Sequence, residues 1–338
     1  MTLDALALTV SDLVPRFGSE SRALAFRRFV MEAPRPSLPV KVPGVAESVL
    51  GPLRASLVLP EARIASVLTA DEGTTKWEMI FGDGQRAETV LIPSKTRATI
   101  CVSSQSGCTR ACAFCATATI GFRRNLTAGE IVHQYLMARE AAAKAGLDAT
   151  NVVFMGMGEP LDNIDAVLAA SRSLTDVFPG LSPRRVTVST SGVVPRMKRF
   201  LKESRVSLAL SLNATTDEVR TRVMPHNKTW PLASIVDALR SAHEERPRRF
   251  FVEYVQLPGV NDFAEDAGRA AALLAGLDVH VNVIPHNPFP GSPFRAPSRD
   301  ETLRFHGQMK AQGLAGIIRW PRGRDVAGAC GQLALRSA

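Results

Sequence analysis

The pattern of apolar and polar residues divides the chain near residue 97. Beyond this point, short apolar runs typical of buried strands alternate with segments whose apolar residues recur every three or four positions, as in amphipathic helices. Such an alternation predicts an α/β fold with a parallel sheet and right-handed helical crossovers, either a partial barrel or a doubly wound sheet. The predicted strands are 98–104, 151–156, 185–190, 206–212, 250–255 and 279–284.

Residues that are typical of helix N-termini support the helices predicted between these strands. Thr127 and Glu130 form a capping box that opens a helix over 128–145, and a second capping box opens a helix over 299–312. Asn163 begins a further helix with one apolar face. Because functional side chains of a parallel barrel lie at the carboxyl ends of its strands, we expect the site in the loops that follow the predicted strands.

The first 92 residues follow a different pattern. Residues 20–32 predict a short helix, and three strand-like runs come after it, the last two joined by a Gly-Asp-Gly-Gln turn. We therefore predict two domains, an accessory α+β domain over 1–92 and a catalytic domain over 93–338. The strands predicted in the first domain are 62–70, 76–81 and 86–92.

Composition and charge exclude several classes of protein. The chain has no apolar run of about eighteen residues, and its first residues lack a basic stretch followed by an apolar block, so we expect no membrane span and a cytoplasmic location. The 41 Lys and Arg residues outnumber the 32 Asp and Glu residues, and the net charge of +9 favours a polyanionic partner. Five cysteines, an odd number, favour a metal or redox role over structural disulfides.

Three of the cysteines, Cys108, Cys112 and Cys115, form a C-x3-C-x2-C motif on the loop after the strand predicted at 98–104. Thiolates are soft ligands that suit zinc or an iron–sulfur cluster. Structural zinc requires four ligands, whereas three cysteines on a four-iron cluster leave one iron open to a further ligand. The alternative is that these cysteines are free and buried among apolar residues.

With Phe114 before its last cysteine, this motif resembles the radical S-adenosylmethionine (SAM) signature. From about residue 75 to 333 the chain resembles the RlmN/Cfr-type RNA adenine methyltransferases, which implies a partial (β/α)6 radical-SAM barrel with a small N-terminal α+β extension. The first 75 residues match this family poorly, and Ser106 stands where the family usually has an apolar residue. The blocks that carry the resemblance are 101–134, 151–163, 186–195, 209–214, 252–262, 282–292 and 322–333.

The resemblance implies a reaction and a role for each cysteine. Cys108, Cys112 and Cys115 correspond to the ligands of a [4Fe–4S] cluster, whose open iron binds SAM. Cys330 corresponds to a cysteine that is methylated by one SAM and then loses a hydrogen to the 5′-deoxyadenosyl radical from a second, so two SAM molecules are used per turnover. The resulting carbon radical adds to the adenine, and Cys101 corresponds to the cysteine that releases the product by forming a transient disulfide with Cys330.

The resemblance also implies the remaining contacts and partners. Glu88 corresponds to the proton acceptor, and Arg322 and Arg324 are the basic residues that we favour for RNA. The family methylates C2 or C8 of a 23S ribosomal RNA adenosine, and some members also methylate a tRNA adenosine. We expect C2, with the Cfr-like C8 activity that confers antibiotic resistance as the alternative, a monomer, and a flavodoxin-type electron donor. The corresponding SAM contacts are Gly158, Glu159, Ser189, Ser211, Leu212, Asn213 and Asn287.

Two alternatives from other classes remain open on the sequence alone. One is a non-catalytic RNA-binding protein that is stabilised by zinc. The other is a radical enzyme that acts on a protein or a small molecule, which would not need the pair Cys101 and Cys330.

Overall fold

The computed structural model describes residues 3–35, 37–176 and 181–335 of the chain. The strands are β1 (Leu3–Asp4), β2 (Leu57–Val58), β3 (Ala62–Thr69), β4 (Thr75–Phe81), β5 (Arg86–Pro93), β6 (Arg97–Cys101), β7 (Gln105–Gly107), β8 (Phe122–Asn125), β9 (Asp148–Phe154), β10 (Val186–Thr190), β11 (Ser207–Ser211), β12 (Phe250–Gln256), β13 (Val279–Pro285) and β14 (Gly316–Ile318). The α-helices are α1 (Val10–Phe17), α2 (Glu20–Glu32), α3 (Glu47–Arg54), α4 (Ala128–Lys144), α5 (Ile164–Asp176), α6 (Val194–Glu203), α7 (Asp217–Val223), α8 (Leu232–Glu245), α9 (Ala264–Leu274) and α10 (Arg299–Ala311). Short 3₁₀ turns lie at Ala116–Thr119, Pro160–Asn163, Pro183–Arg185 and Pro225–Lys228.

Ten strands of the described chain form one sheet, in the order β14-β13-β12-β11-β10-β9-β6-β5-β4-β3. From β6 to β14 every pairing is parallel, and from β6 to β3 every pairing is antiparallel. Most of the parallel strands contain buried apolar residues, such as 208–210 in β11, because helices cover the sheet. The predicted partial barrel of alternating strands and helices is thereby confirmed.

The predicted elements differ from the observed ones mainly at their ends. All nine predicted strands are present, and the helices at 20–32, 128–144 and 299–311 agree with the prediction to within one residue. The strand predicted at 98–104 ends at Cys101, because the chain then turns toward β7. The pattern missed β14, which has only three residues and is therefore too short for a periodicity to mark it.

The N-terminal residues are joined to the parallel strands in two ways. Strand β5 pairs with β6, with Val90 opposite Cys101, so that β3, β4 and β5 continue the sheet. Helices α1 and α2 pack through Phe17 and Phe26, whose ring centroids are 5.0 Å apart, and the buried Arg27 of α2 donates to Ser173 of α5. The division into domains over 1–92 and 93–338 stays a prediction, but the sheet itself runs across residue 92.

A glycine allows the chain to turn sharply after β9. Gly158 adopts φ = +106°, and a Cβ atom there would lie 2.7 Å from the side chain of Gln105, so only glycine fits this turn. The turn places the loop that follows β9 against the loop that follows β6 at the carboxyl edge of the sheet. Across the described residues, no helix combines the length and apolar character needed to cross a membrane.

Candidate active site

A cavity, here called the strand-end cavity, lies where the parallel strands end and where the barrel architecture predicts the site. Its wall comes from the loops after β6, β9, β10, β11 and β13, and from the segment that follows β14. The structure therefore brings together most of the predicted residues. Those that line the cavity are Cys108, Cys112, Cys115, Gly158, Glu159, Ser189, Ser211, Asn213, Asn287 and Cys330.

The three cysteines of the motif lie on a loop with little regular structure. The loop is held by hydrogen bonds from Ala113 N to Val223 O (2.9 Å) and from Cys115 N to Cys112 O (3.1 Å). Burial raises the pKa of the Cys108 thiol to about 12, and burial together with the neighbouring cysteines raises the pKa of Cys112. Binding as thiolates therefore requires that a metal displace the protons.

The donor set of this loop fits an iron–sulfur cluster. Across the described residues, no three His, Cys, Asp or Glu side chains converge on the position of one metal ion. The three motif cysteines all line the strand-end cavity, and three thiolates would leave one iron of a four-iron cluster free for a further ligand. The cavity faces them with polar groups from three other loops, which could hold a ligand of the remaining iron.

Glu159 joins the ends of β9 and β10. Its Oε1 accepts hydrogen bonds from Leu161 N (3.0 Å) and Thr190 Oγ1 (2.8 Å). Its Oε2 accepts from Ser191 N (2.8 Å) and Ser191 Oγ (2.7 Å). Since a carboxylate offers about four acceptor positions, these donors occupy it. Thr190 and Ser191 also line the cavity, although the sequence analysis did not single them out.

Hydroxyl and amide groups form the opposite wall. Ser189 and Ser211 lie on the neighbouring strands β10 and β11 with their hydroxyl oxygens 3.3 Å apart. Asn213 follows β11 in the left-handed region (φ = 57°), and its Oδ1 accepts from Val255 N at 2.8 Å. A non-glycine residue in this conformation is uncommon and concentrates at functional sites. Leu212 is fully buried and is not among the residues that line the cavity.

A buried arginine beneath this wall was missed by the sequence analysis. Arg220 of α7 donates from Nη2 to Ser191 O (2.6 Å) and Ser211 O (3.0 Å), and from Nε to Leu212 O (3.0 Å). Burial lowers its pKa to about 10, against the opposing effect of nearby acidic groups such as Cys112. The strand-end rule points to this loop, but no spacing signal distinguishes Arg220 from the other arginines of the chain.

A second cavity, here called the lateral cavity, adjoins the first beside β6. It is lined by Cys101 at the end of β6 and by Trp320, Arg322 and Cys330 of the segment after β14. Cys330 lines both cavities, and all five cysteines are free thiols. The predicted pair Cys101 and Cys330 therefore lines one cavity, together with Cys115 of the motif, but no disulfide joins them.

The two cysteines of the predicted pair differ in their surroundings. Cys330 is exposed, whereas Cys101 is buried. Burial and the proximity of Cys330 raise the pKa of the Cys101 thiol to about 12, although Arg319 and a hydrogen bond from the Met155 backbone act in the opposite direction. Cys101 is therefore a weak nucleophile at neutral pH in this arrangement.

Glu88 lies in neither cavity wall. Its carboxylate is 1% exposed and forms an ion pair with Lys76, at 2.8 Å between Oε1 and Nζ. Its Oε2 accepts from Ala334 N (2.8 Å) and Leu335 N (3.2 Å). The predicted proton acceptor thus contacts the chain that carries Cys330, through residues that follow this cysteine.

Asn287 and Arg324 position Cys330. Asn287 Nδ2 donates to Cys330 O at 3.1 Å, and its Oδ1 accepts from Arg324 Nε at 2.8 Å. Arg324, which we had assigned to RNA, is therefore engaged inside the protein, while Arg322 lines the lateral cavity. Several other arginines are paired with carboxylates, so these particular side chains are less available to RNA phosphates. Such ion pairs include Arg124 with Asp83 and Glu130, Arg196 with Asp162, Arg199 with Asp165 and Glu203, and Arg249 with Asp278.

Comparisons with known proteins agree with this geometry. Residues 102–271 match the model of the radical SAM superfamily. A radical SAM methyltransferase from Sphaerobacter thermophilus has a similar structure over 98% of this chain and 99% of its own, with a TM-score of 0.85 and 37% identity. The fold and the three-cysteine loop therefore define a radical SAM enzyme.

The curated relatives identify one family among the radical SAM enzymes. The chain is 45% identical over 282 residues to the dual-specificity RNA methyltransferase RlmN of Alkalilimnicola ehrlichii, covering 83% of this chain and 78% of that protein. It is 46% identical over 269 residues to RlmN of Anaeromyxobacter sp. strain Fw109-5, covering 78% of this chain and 71% of the relative. The chain belongs to the RlmN/Cfr-type family of radical SAM methyltransferases. This membership argues against the zinc-stabilised RNA-binding protein.

Proposed function

We propose that this protein methylates C2 of an adenosine in 23S ribosomal RNA, and of an adenosine in tRNA, through a methylated Cys330. The relatives support an RNA substrate, since they are named dual-specificity RNA methyltransferases. The single observation that carries the proposal is the position of Cys330, which lines both the strand-end cavity and the lateral cavity. A cysteine in this position can receive a group in one cavity and deliver it in the other.

In the strand-end cavity, Cys108, Cys112 and Cys115 hold a [4Fe–4S] cluster, and the polar groups opposite them hold SAM. When bound, the cluster and SAM supply a 5′-deoxyadenosyl radical. Ser189, Ser211 and the other hydroxyl and amide groups suit the ribose and the adenine edge of SAM. Glu159 serves this site indirectly, because its four hydrogen bonds fix the β9 and β10 loops against each other.

Cys330 carries the methyl group in our proposal. Its sulfur takes a methyl group from one SAM, and its S-methyl group then loses a hydrogen atom to the radical that a second SAM provides. The methylene group bonds to the ring carbon of an adenine in the lateral cavity, and tethering to the protein gives this step a high effective concentration. The adenosine must leave its stack to reach this cavity.

Glu88 and Cys101 complete the reaction. Glu88 takes the proton from the substituted ring carbon, which requires that it exchange the amides of residues 334 and 335 for the substrate. The unpaired electron of the adduct would return to the oxidised cluster. The thiolate of Cys101 then attacks the sulfur of Cys330, the bond from that sulfur to the methylene carbon breaks as the disulfide forms, and the methylene carbon takes up a proton, so that the methylated base leaves. A flavodoxin-type donor supplies electrons in the cytoplasm, and the enzyme acts as a monomer with Arg322 facing the RNA.

The test is mass mapping of methylated adenosines in ribosomal and transfer RNA from cells that lack their own enzyme of this family, with and without this protein. We expect 2-methyladenosine at one ribosomal position and in tRNA. An 8-methyladenosine product would correct the ring position, and RNA without new methylation would overturn the proposal.

A second experiment tests the roles of the two reactive cysteines. The variant Cys101→Ala should remain covalently attached to RNA after purification under denaturing conditions. The matched control is the double variant Cys101→Ala/Cys330→Ala, which lacks the tether and should be free of RNA. A single variant that is equally free of RNA contradicts the role of Cys101.

A further inference from the structure

The hairpin of β4 and β5 holds two buried charges that face the C-terminal part of the chain. Lys76 Nζ lies 2.8 Å from Glu88 Oε1, and the side chains are only 4% and 1% exposed. Removing two charges from water costs more than their mutual attraction returns unless further hydrogen bonds satisfy them. The identity of those further partners therefore indicates what the pair does.

The further partners lie on both sides of Cys330. We call residues 319–335 the Cys330 segment. Before the cysteine, Ala327 O accepts a hydrogen bond from Lys76 Nζ at 3.4 Å. After the cysteine, the amides of Ala334 and Leu335 donate to Glu88 Oε2 at 2.8 and 3.2 Å. One buried ion pair thus holds the segment at two points that flank the reactive residue.

A second ion pair on the same hairpin shows that this contact is not a general property of its cross-strand pairs. Arg86 Nη1 lies 2.7 Å from Glu78 Oε1, and Glu78 stands directly opposite Glu88 in the register of β4 and β5. Arg86 is about half exposed, and the recorded hydrogen bonds of this pair stay within the hairpin. The hairpin therefore offers a matched control for the pair of Lys76 and Glu88.

We propose that Lys76 is a positioning residue, which together with Glu88 latches the Cys330 segment in the position where Cys330 can accept a methyl group. This inference rests on the proposed function for the role of Cys330, but not for the latch itself. Without the ammonium group, the carboxylate of Glu88 would remain as an unpaired buried charge beside the two amides, and the segment would move to let water reach it.

Hydrogen–deuterium exchange of the full-length, cluster-loaded protein tests the latch directly. For Lys76→Met, we expect exchange of peptides from the Cys330 segment to rise at least tenfold, while peptides from β10 and β11 are unchanged. Lys76→Arg, which keeps a cation, should restore most of the protection. Arg86→Met should leave the segment at the wild-type rate. A segment that exchanges at the wild-type rate in Lys76→Met overturns the proposal, and so does an equal rise in Arg86→Met.

Methylation of Cys330 by SAM in the absence of RNA, followed by intact-protein mass, tests the consequence. For Lys76→Met, we expect the rate at saturating SAM to fall about tenfold with the KM for SAM unchanged, because Lys76 does not line the strand-end cavity. A fall in the rate that is accompanied by a comparable rise in the KM for SAM would indicate general damage and would contradict the latch. If wild-type Cys330 is never methylated, the proposed function fails while the exchange experiment still decides the latch.

Discussion

The strand-end cavity and the Cys330 segment contribute to one site by different structural means. Polar residues of the cavity, such as Ser189 and Ser211, stand on neighbouring strands whose backbones are paired in register. Cys330 lies on a segment without regular structure after β14, and side chains from elsewhere, Asn287 and Glu88, hold that segment. In the proposed function, the groups that bind a stationary cofactor are thus placed on a paired sheet, whereas the cysteine that meets several partners in turn is held by contacts that can be exchanged.

We expect the largest difference between the strand-end cavity and the Cys330 segment when one cysteine in each is replaced. Cys112→Ala removes a proposed cluster ligand, so we expect bound iron and 5′-deoxyadenosine formation to fall and RNA methylation to drop to background. Cys330→Ala should lose methylation to the same extent yet keep its iron and sulfide. Iron and sulfide analysis with an RNA methylation assay measures both.

Loss of iron from Cys330→Ala would contradict the separate roles of the two regions, because the segment would then be part of the cluster site. Continued methylation of RNA by Cys330→Ala would contradict them equally, since the segment would then have no part in the chemistry.

The strand-end residues could be predicted from the sequence for a physical reason. Buried parallel strands are recognisable as apolar runs, and the loops after them meet at one edge, so Gly158, Ser189, Ser211 and Asn213 could be expected near the cysteine motif. The partners of the Cys330 segment could not be predicted in this way. Lys76 is about 250 residues away in sequence from Ala327, to which it donates, and no periodicity links the two.

Removing Arg220 tests how firmly the strand-end region is fixed. Arg220→Met removes the arginine donor from Ser211 O and from Asn227 Oδ1. Leu212 O keeps the amide of Ala214, and Ser191 O keeps the ring nitrogen of His226. Since each unsatisfied buried group costs about 1–3 kcal/mol, we expect the free energy of unfolding to fall by at least about 2 kcal/mol, measured by urea titration. Arg199→Met is the control, because its ion pairs are exposed to solvent and should contribute little to stability. Similar values for both variants would contradict the role of Arg220.

The same limit of sequence patterns explains why Arg220 was missed. Charged residues are usually exposed, and nothing in the composition of α7 marks Arg220 as the one that is buried. Glu159 is the opposite case, because its position could be predicted from the sequence whereas its partners could not. Its position after β9 was predicted, but three of the four donors that occupy its carboxylate belong to the end of β10 and the loop after it, and became visible only in the fold.

The release of the methylated base should depend on pH, because Cys101 is buried at the end of β6. In the proposed step, Cys101 attacks the sulfur of Cys330 only as a thiolate, and burial raises the pKa of the Cys101 thiol to about 12. Between pH 7 and 9 the thiolate fraction, and with it the rate of release of the protein–RNA adduct, should rise about tenfold per pH unit. Quenched-flow sampling followed by denaturing gels measures this rate. A rate that does not change over this range would show that Cys101 is already ionised in the adduct.

The smallest expected effect lies at the beginning of the Cys330 segment. Glu72 Oε1 accepts from Gly323 N at 2.6 Å and from Thr74 Oγ1 at 3.0 Å. Burial raises the pKa of Glu72, but these hydrogen bonds outweigh it and the net pKa is lowered, so this contact is stronger above the ordinary pKa of 4.5 and weakens as the pH falls toward the lowered value. Glu72→Gln keeps an acceptor oxygen, so exchange of amides near Gly323 should rise only about twofold at pH 7, with a smaller difference from wild type at pH 4. An effect as large as that of Lys76→Met would mean that the segment is held mainly at its beginning, and that the buried pair flanking Cys330 is not its principal anchor.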